Sequence, residues 1–191
     1  MGVHELNEFL LDYFGDYEIM NLGEIIRYNN RAKIRKENVS EHTFYVATNV
    51  IKICSIFCID EYTKLKALEM AITHDIPEIF LGDVPYLTKR DNPEVEEALE
   101  KAEKQQLLEH MPEFYESYIA YVDGLKNLEL APTIVKLADV ISVLQYSNNE
   151  IELGNRSKSM RDINEDAKIR VLKLIKILNE QNKKTKNTYK W

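Results

Sequence analysis

Apolar residues recur three and four positions apart along almost the whole chain, and few stretches alternate between apolar and polar residues. This spacing is typical of amphipathic α-helices, because residues at these separations share one helix face. Glycine and proline, which interrupt helices, account for only 6 and 5 of the 191 residues. The sequence therefore predicts an all-α fold, a single bundle of about six to eight helices.

The apolar pattern places these helices along the chain. They are predicted at residues 4–14, 16–28, 40–57, 61–75, 93–110, 112–126, 131–152 and 158–181. Ser40 and Asp60 are plausible N-caps, because their side-chain oxygens can accept hydrogen bonds from backbone N–H groups of the first turn. Two polar connections, at 29–40 and 82–93, interrupt the pattern and are long enough to line a site.

Length and composition favour one domain over residues 1–191. With 45% hydrophobic residues, the chain is long enough to bury one sizeable core and too short for two domains to be expected. We expect an N-terminal and a C-terminal helix to pack on the central part of the chain. The segment 182–191 is lysine-rich and weakly periodic, which predicts a frayed end.

Charge and hydropathy narrow the class of partner and the location. The net charge of −7 argues against wrapping a nucleic-acid polymer or lying on an anionic membrane. No segment has the uninterrupted apolar length that spans a bilayer, and the first twenty residues lack the features of a signal peptide. We therefore expect a cytoplasmic protein in which any anionic small molecule meets a local basic pocket.

Two histidines and two aspartates lie in or at the ends of three predicted apolar helices: His42, His74, Asp75 and Asp139. The segment around Asp139, "TIVKLADVISVL", is apolar on nearly every side, where an unpaired carboxylate is costly. Ordinary alternatives exist for each position. Lys136 can pair with Asp139, His42 suits a hydrogen-bonded core position, and a helix C-terminus stabilises a protonated His74.

Taken together, two imidazoles and two carboxylates form a mixed nitrogen and oxygen ligand set. Such a set suits Mn, Fe, Co, Ni or Zn, whereas imidazole counts against Mg or Ca. Four protein ligands leave positions open for water and a substrate oxygen, as in a hydrolytic site. Glu78 follows His74 by four residues, so it is a candidate general base or acid if the helix continues, and otherwise an ordinary exposed glutamate.

Three segments carry a resemblance to a known superfamily: "ENVSEHTFYVA", "HDIPEIFLGDVP" and "VKLADVISVLQY". They resemble the HD-domain metal-dependent phosphohydrolases, and among these the bacterial 5′-deoxynucleotidases. The likeness spans roughly residues 20–155, the expected core of a single HD domain. It implies that one divalent transition metal ion (Co, Mn, Ni, Fe or Zn) is bound by His42, His74, Asp75 and Asp139.

The same resemblance implies roles for four further residues. Glu78 would assist the attacking water, and Asp83 would contact the substrate sugar. Arg27 lies fifteen residues before His42, where the family has an arginine that orients the phosphate, and its planar donor fork matches phosphate oxygens. Tyr28 stands where the family usually has a tryptophan packed against the sugar, so we expect a changed sugar preference.

Other basic residues of the two connections, Lys33, Arg35 and Lys89, are further candidates for contact with the phosphate. The resemblance predicts an enzyme that removes the phosphate of deoxynucleoside or nucleoside 5′-monophosphates, giving nucleoside and inorganic phosphate. Two alternatives stay open: a deoxynucleoside triphosphate triphosphohydrolase, and a non-catalytic HD domain that binds nucleotide. The expected partners are a small-molecule nucleotide and a second copy of the chain in a homodimer.

Overall fold

A computed structural model of the chain describes residues 3–14 and 18–188, and the side chains of residues 4–10 and 18–185. Within these residues there are nine α-helices, a 3-10 helix, one isolated β-bridge and no strand, so the all-α prediction is confirmed. The helices are α1 (Val3–Phe14), α2 (Val39–Phe57), α3 (Glu61–Thr73), α4 (Glu78–Leu81), α5 (Tyr86–Asp91), α6 (Pro93–His110), α7 (Pro112–Lys126), α8 (Leu130–Glu152) and α9 (Lys158–Thr188). None of these described helices combines the length and apolar character needed to cross a membrane.

The predicted helix at 16–28 is wrong for the described residues 18–28. A 3-10 helix, Glu18–Gly23, is followed by a segment whose backbone bonds to the residues just before α2. The Arg27 N–H donates to the Glu37 carbonyl at 2.9 Å, and the Val39 N–H donates to the Ile25 carbonyl at 3.0 Å. These backbone groups are therefore paired across the loop and not along a helix.

The starts of α2 and α3 show which of the two predicted N-caps are present. Helix α2 is capped by Asn38 and not by Ser40, because Asn38 and Glu41 form a reciprocal capping box. The predicted N-cap at Asp60 is confirmed, since its carboxylate accepts a hydrogen bond from the N–H three residues later. The connection predicted at 82–93 contains the short helix α5, and α4 precedes it.

Helix α9 continues to Thr188, past its predicted end at residue 181 and into the segment predicted to fray. The Gln181 side-chain amide donates to the Leu128 carbonyl at 2.7 Å, and Asn182 donates to the Phe57 carbonyl at 2.8 Å. These bonds hold the helix against its neighbours, which the weak periodicity of the sequence does not indicate. Residues 189–191 lie outside the described part of the chain.

Helix α8 lies at the centre of the bundle, in contact with α2, α3, α7 and α9. Four of its residues, Ile134, Val135, Leu137 and Ala138, are at most 1% exposed, as the apolar sequence around Asp139 predicts. A second, smaller cluster of buried side chains joins the 3-10 helix and the start of α2 to α6 and α7. Of the predicted metal ligands, His42 and Asp139 lie on the core helices α2 and α8, and His74 and Asp75 follow directly after α3.

One face of α8 carries polar residues at intervals of three and four positions: Asp139, Ser142, Tyr146 and Glu150. At its far end Glu150 is fully buried, and its carboxylate accepts hydrogen bonds from the N–H groups of Ile34 and Arg35, both at 2.7 Å. Asn155 donates to the same carboxylate at 2.8 Å. This face of α8 therefore fixes the loop that follows Arg27.

Replacing Glu150 by glutamine is expected to lower the free energy of unfolding by about 1.5–3 kcal/mol, the usual value of hydrogen bonds to a charged group. The substituted amide turns a donor towards backbone N–H groups that need an acceptor. Urea denaturation of the variant and the wild type measures the change. Glu152→Gln, at an exposed position of the same helix, is the control, and equal midpoints for Glu150→Gln and wild type would contradict the anchoring role.

Candidate active site

The structure brings three of the four predicted metal ligands together from two helices. His42 lies on α2 and His74 is the C-cap of α3, with Asp75 directly after it. Asp75 Oδ2 lies 3.5 Å from His42 Nε2 and 3.2 Å from His74 Nε2. The possible ligand atoms of the three residues all lie within 4.8 Å of one another, and both histidines are buried.

Asp139 joins this group from α8. Its Oδ1 lies 3.4 Å from His42 Nε2, and its Oδ2 accepts a hydrogen bond from Lys136 at 2.9 Å. Asp139 thus both pairs with Lys136, as the ordinary alternative predicts, and lies beside a histidine, as the metal site predicts. Although burial acts in the opposite direction, the Lys136 ammonium and His42 hold the pKa of the Asp139 carboxyl well below its usual range. An ionised carboxylate is therefore available to a cation.

The two histidines are orientated in a way that fits a metal ion. His74 Nδ1 donates to the Ala71 carbonyl at 2.8 Å, and His42 Nδ1 lies 3.1 Å from Ser142 Oγ. Within the described residues, the buried Nε2 atom of each histidine has no hydrogen-bond partner. A buried polar atom without a partner is costly, and a bound cation removes that cost.

The spacing and protonation of the group agree with this fit. Two ligands that are each about 2.1 Å from one ion lie about 3.4 Å apart at the tetrahedral angle, close to the separations in the cluster. Burial lowers the pKa of His42 to about 4, which keeps its imidazole neutral. Despite its own burial, His74 has a raised pKa because of Asp75, so binding of a metal ion would release a proton there.

A cavity of about 390 Å³ opens beside this group, and Glu78 and Asp83 line it together with His74. Glu78 begins the short helix α4, so a turn and not a continuous helix separates it from His74. The side chain is buried, and burial raises its pKa well above the usual range, with the Asp75 and Asp83 carboxylates adding to the effect. Glu78 can therefore hold a proton within the cavity.

Arg27 also lines the cavity, although its side chain is largely buried. Its NH1 donates to Asp75 Oδ2 at 3.4 Å, so the guanidinium contacts the same oxygen that the histidines face. The arrangement places a planar donor fork beside the predicted metal ligands.

Tyr28 has a different position from the other predicted substrate contacts. Its ring stacks on Tyr146 of α8 with 4.6 Å between ring centroids and 5° between planes. It lines a smaller pocket of about 90 Å³, which shares Arg27 and Asp83 with the large cavity. Its backbone has φ 54°, an unusual value for tyrosine. The Tyr28 N–H donates to Asp83 Oδ2 at 3.2 Å. One carboxylate oxygen of Asp83, the predicted sugar contact, is therefore already bonded to the backbone of the loop that carries Tyr28.

The other basic candidates separate into two groups. Lys89 lines the large cavity, where its Nζ lies 3.6 Å from the Glu103 carboxylate. Lys33 donates instead to the Tyr28 carbonyl at 2.8 Å, and Arg35 donates to the Tyr45 hydroxyl at 3.0 Å. Lys33 and Arg35 therefore stabilise the loop conformation.

Sequence reasoning missed two residues that contact the site. Ser142, the partner of His42, lies three residues after Asp139, so helical spacing alone was a signal for its position. Glu37 lies 3.7 Å from Arg27 Nε. It gave no local signal, because a glutamate in a polar loop is usually exposed.

Comparisons with known proteins agree with this geometry. A family model described as 5′-deoxynucleotidase YfbR-like matches residues 14–182. A 5′-deoxynucleotidase of Pasteurella multocida (strain Pm70) is 31% identical over 139 residues, which are 69% of this chain and 71% of the relative. One from Photorhabdus temperata is 32% identical over 139 residues, covering 69% of this chain and 70% of the relative.

Two solved structures share the fold. An HD-domain phosphohydrolase from Listeria innocua has a TM-score of 0.71 at 22% identity, covering 93% of this chain and 83% of the other. The HD phosphohydrolase of cyanophage S-2L, bound to dA and one catalytic Zn²⁺ ion, has a TM-score of 0.67 at 20% identity. The match covers 88% of this chain and 94% of the cyanophage chain. The fold is thus that of HD-domain proteins, and the extent of the family match shows that the chain belongs to the 5′-deoxynucleotidase YfbR-like family.

Proposed function

We propose that the chain is a metal-dependent phosphohydrolase that converts deoxynucleoside 5′-monophosphates into deoxynucleosides and inorganic phosphate. The observation that carries the proposal is the convergence of four predicted ligands from three helices, with two buried histidine Nε2 atoms that lack partners among the described residues. The curated relatives named 5′-deoxynucleotidase support the substrate class.

The residues proposed to hold one divalent transition metal ion are His42, His74, Asp75 and Asp139. When bound, such an ion lowers the pKa of a coordinated water and polarises a phosphoryl oxygen. Mn, Co, Ni, Fe and Zn all suit two imidazoles and two carboxylates. The cyanophage neighbour contains catalytic zinc, which supports this class of ion.

The remaining chemistry is assigned to side chains that line the large cavity. Arg27 donates to the phosphate oxygens and orients the phosphorus towards the water. In its ionised form, Glu78 takes a proton from the attacking water at a carboxylate oxygen, as the new P–O bond forms and the bond from phosphorus to O5′ breaks. The same carboxyl group then gives the proton to O5′, so that the products are a neutral hydroxyl and inorganic phosphate.

Substrate selection is assigned to Asp83 and Tyr28. Asp83 uses one oxygen to hold the Tyr28 N–H, and we assign its other oxygen to a hydroxyl of the sugar. Tyr28 lies against Tyr146 in the adjoining pocket, so a ribose 2′-hydroxyl is expected to meet a phenol ring there and not the broader face of an indole. The chain is further proposed to act in the cytoplasm and to form a homodimer. Light scattering of the purified protein measures its molar mass and so tests the dimer.

A release assay over several nucleotides and metals tests the function. With Mn or Co, dAMP is expected to yield inorganic phosphate, and a chelator should abolish the release. Ribonucleotides, diphosphates and triphosphates complete the screen, and the ratio of dAMP to AMP hydrolysis measures the effect of Tyr28. Triphosphate released from dATP without phosphate from dAMP would support the triphosphohydrolase instead. A metal-free protein that is inert with every nucleotide and added metal would support a binding domain.

A further inference from the structure

Glu37 is a buried carboxylate that the proposed mechanism does not use. It lies in the loop before α2 and is only 2% exposed. Its Oε2 lies 3.7 Å from Arg27 Nε. Among the described residues, both atoms are buried without a hydrogen-bond partner. A guanidinium and a carboxyl group therefore face each other where water is excluded.

The stability of the fold does not account for a glutamate at this position. Burial raises the pKa of Glu37 to about 7, although Arg27 and Arg35 act in the opposite direction. A buried ion pair is often no more stable than a neutral side chain of the same shape, because the charges lose their hydration. A glutamine would fill the same volume without that cost.

The backbone of Glu37 is also joined to Arg27. The Glu37 carbonyl accepts a hydrogen bond from the Arg27 N–H at 2.9 Å. Ile26, which precedes Arg27, and Asn38, which follows Glu37, form the isolated β-bridge. Two residues that are ten positions apart in sequence are thus held side by side by both main chain and side chain. A displacement of Glu37 would be transmitted directly to Arg27.

The guanidinium of Arg27 lies between two carboxylates. Its NH1 is 3.4 Å from Asp75 Oδ2, and its Nε faces Glu37. Asp75 Oδ2 also lies within 3.5 Å of both histidine Nε2 atoms, so a metal ion held by the histidines would share this oxygen with the guanidinium. Without a second carboxylate, the guanidinium would be free to turn fully onto Asp75 as a bidentate pair.

We infer that Glu37 is a positioning residue for Arg27, which it holds at Nε so that the terminal nitrogens face the phosphate and Asp75 stays available to the metal ion. The inference rests on the proposed function, because that function assigns the phosphate contact to Arg27. Glu37 itself touches neither substrate nor metal.

The test compares Mn-loaded wild type with the Glu37→Gln variant. The KM for dAMP and the dissociation constant of inorganic phosphate, measured by calorimetry, are both expected to rise about tenfold, the loss of one favourable charged contact. The melting temperature at pH 8 should not fall. A merely structural role would instead lower the melting temperature and leave phosphate binding unchanged.

A double-mutant cycle shows whether Glu37 acts through Arg27. If it does, adding Glu37→Gln to Arg27→Gln weakens phosphate binding no further than Arg27→Gln alone. Additive effects of the two substitutions would overturn the inference. Glu24→Gln removes the same charge at an exposed position three residues from Arg27 and is the matched control; it should bind phosphate as wild type does.

Failure of this inference can be told apart from failure of the proposed function. Phosphate binding needs no turnover, so a wild type that binds phosphate but hydrolyses no nucleotide would refute the function and leave the comparison of variants intact. Equal phosphate affinity in Glu37→Gln and wild type would overturn the inference whatever the activity. A Mn-loaded wild type that binds no phosphate would overturn both.

Discussion

The Asp139→Ala variant is expected to lose its metal ion and its activity together. Asp139 is the predicted ligand contributed by α8, and its Oδ1 lies 3.4 Å from His42 Nε2. Loss of a group that merely supports a ligand typically costs about 10–100-fold in metal affinity, so loss of the ligand itself should cost more. Elemental analysis of the Mn-loaded, desalted protein and phosphate release from dAMP measure the two effects.

A second substitution separates metal loss from unfolding. Removing Asp139 also leaves Lys136 without its 2.9 Å partner, which destabilises the helix face around it. Asp139→Asn keeps the shape and an acceptor oxygen for Lys136, while it lowers the charge offered to the ion. The asparagine variant should therefore stay folded by circular dichroism and still bind metal weakly. Full metal occupancy in either variant would show that the proposed ligand set is wrong.

The Glu78→Gln variant should keep its metal ion and its affinity for substrate while losing turnover. The glutamine fills the same buried position, but it can neither accept the proton of the attacking water nor return it to O5′. General acid–base groups contribute about 10²–10⁴-fold to turnover, so kcat should fall by that factor. Steady-state kinetics with dAMP give kcat, and calorimetry with inorganic phosphate gives the affinity.

Glu69→Gln is the matched control for this substitution, because Glu69 is an exposed carboxylate on α3, the helix that precedes the predicted ligands His74 and Asp75. It should leave kcat and metal content unchanged. A Glu78→Gln variant with nearly normal kcat would remove Glu78 from the mechanism. A fall in metal content equal to the fall in kcat would make it a structural support of the metal site instead.

Much of the fold could be predicted from local sequence, because helix periodicity and capping involve residues within one or two turns. Helix α8 follows from its continuous apolar pattern, and the N-cap at Asp60 follows from residue type. The segment 18–28 has a similar apolar pattern, yet its backbone pairs with residues 37–39. Periodicity alone cannot reveal a backbone pairing between segments that are distant in sequence.

The candidate site shows the same division. His74 and Asp75 adjoin in sequence, so their proximity needed no tertiary information. From the sequence, His42 and Asp139 could be grouped with this pair only by the chemistry of a ligand set and by the resemblance to a known family. The structure places polar side-chain atoms of both residues within 3.5 Å of a partner in the cluster. The role proposed for Glu37 had no local signal.

By itself, the sequence determined most of the long helices and which of them carry polar groups that are costly to bury. The tertiary structure decided which polar groups meet: Glu150 with the loop after Arg27, Tyr28 with Tyr146, and Glu37 with Arg27. The physical reason is range. Helix propensity and capping act through neighbours in the chain, whereas burial and pairing of charges depend on how α2, α3 and α8 pack against one another.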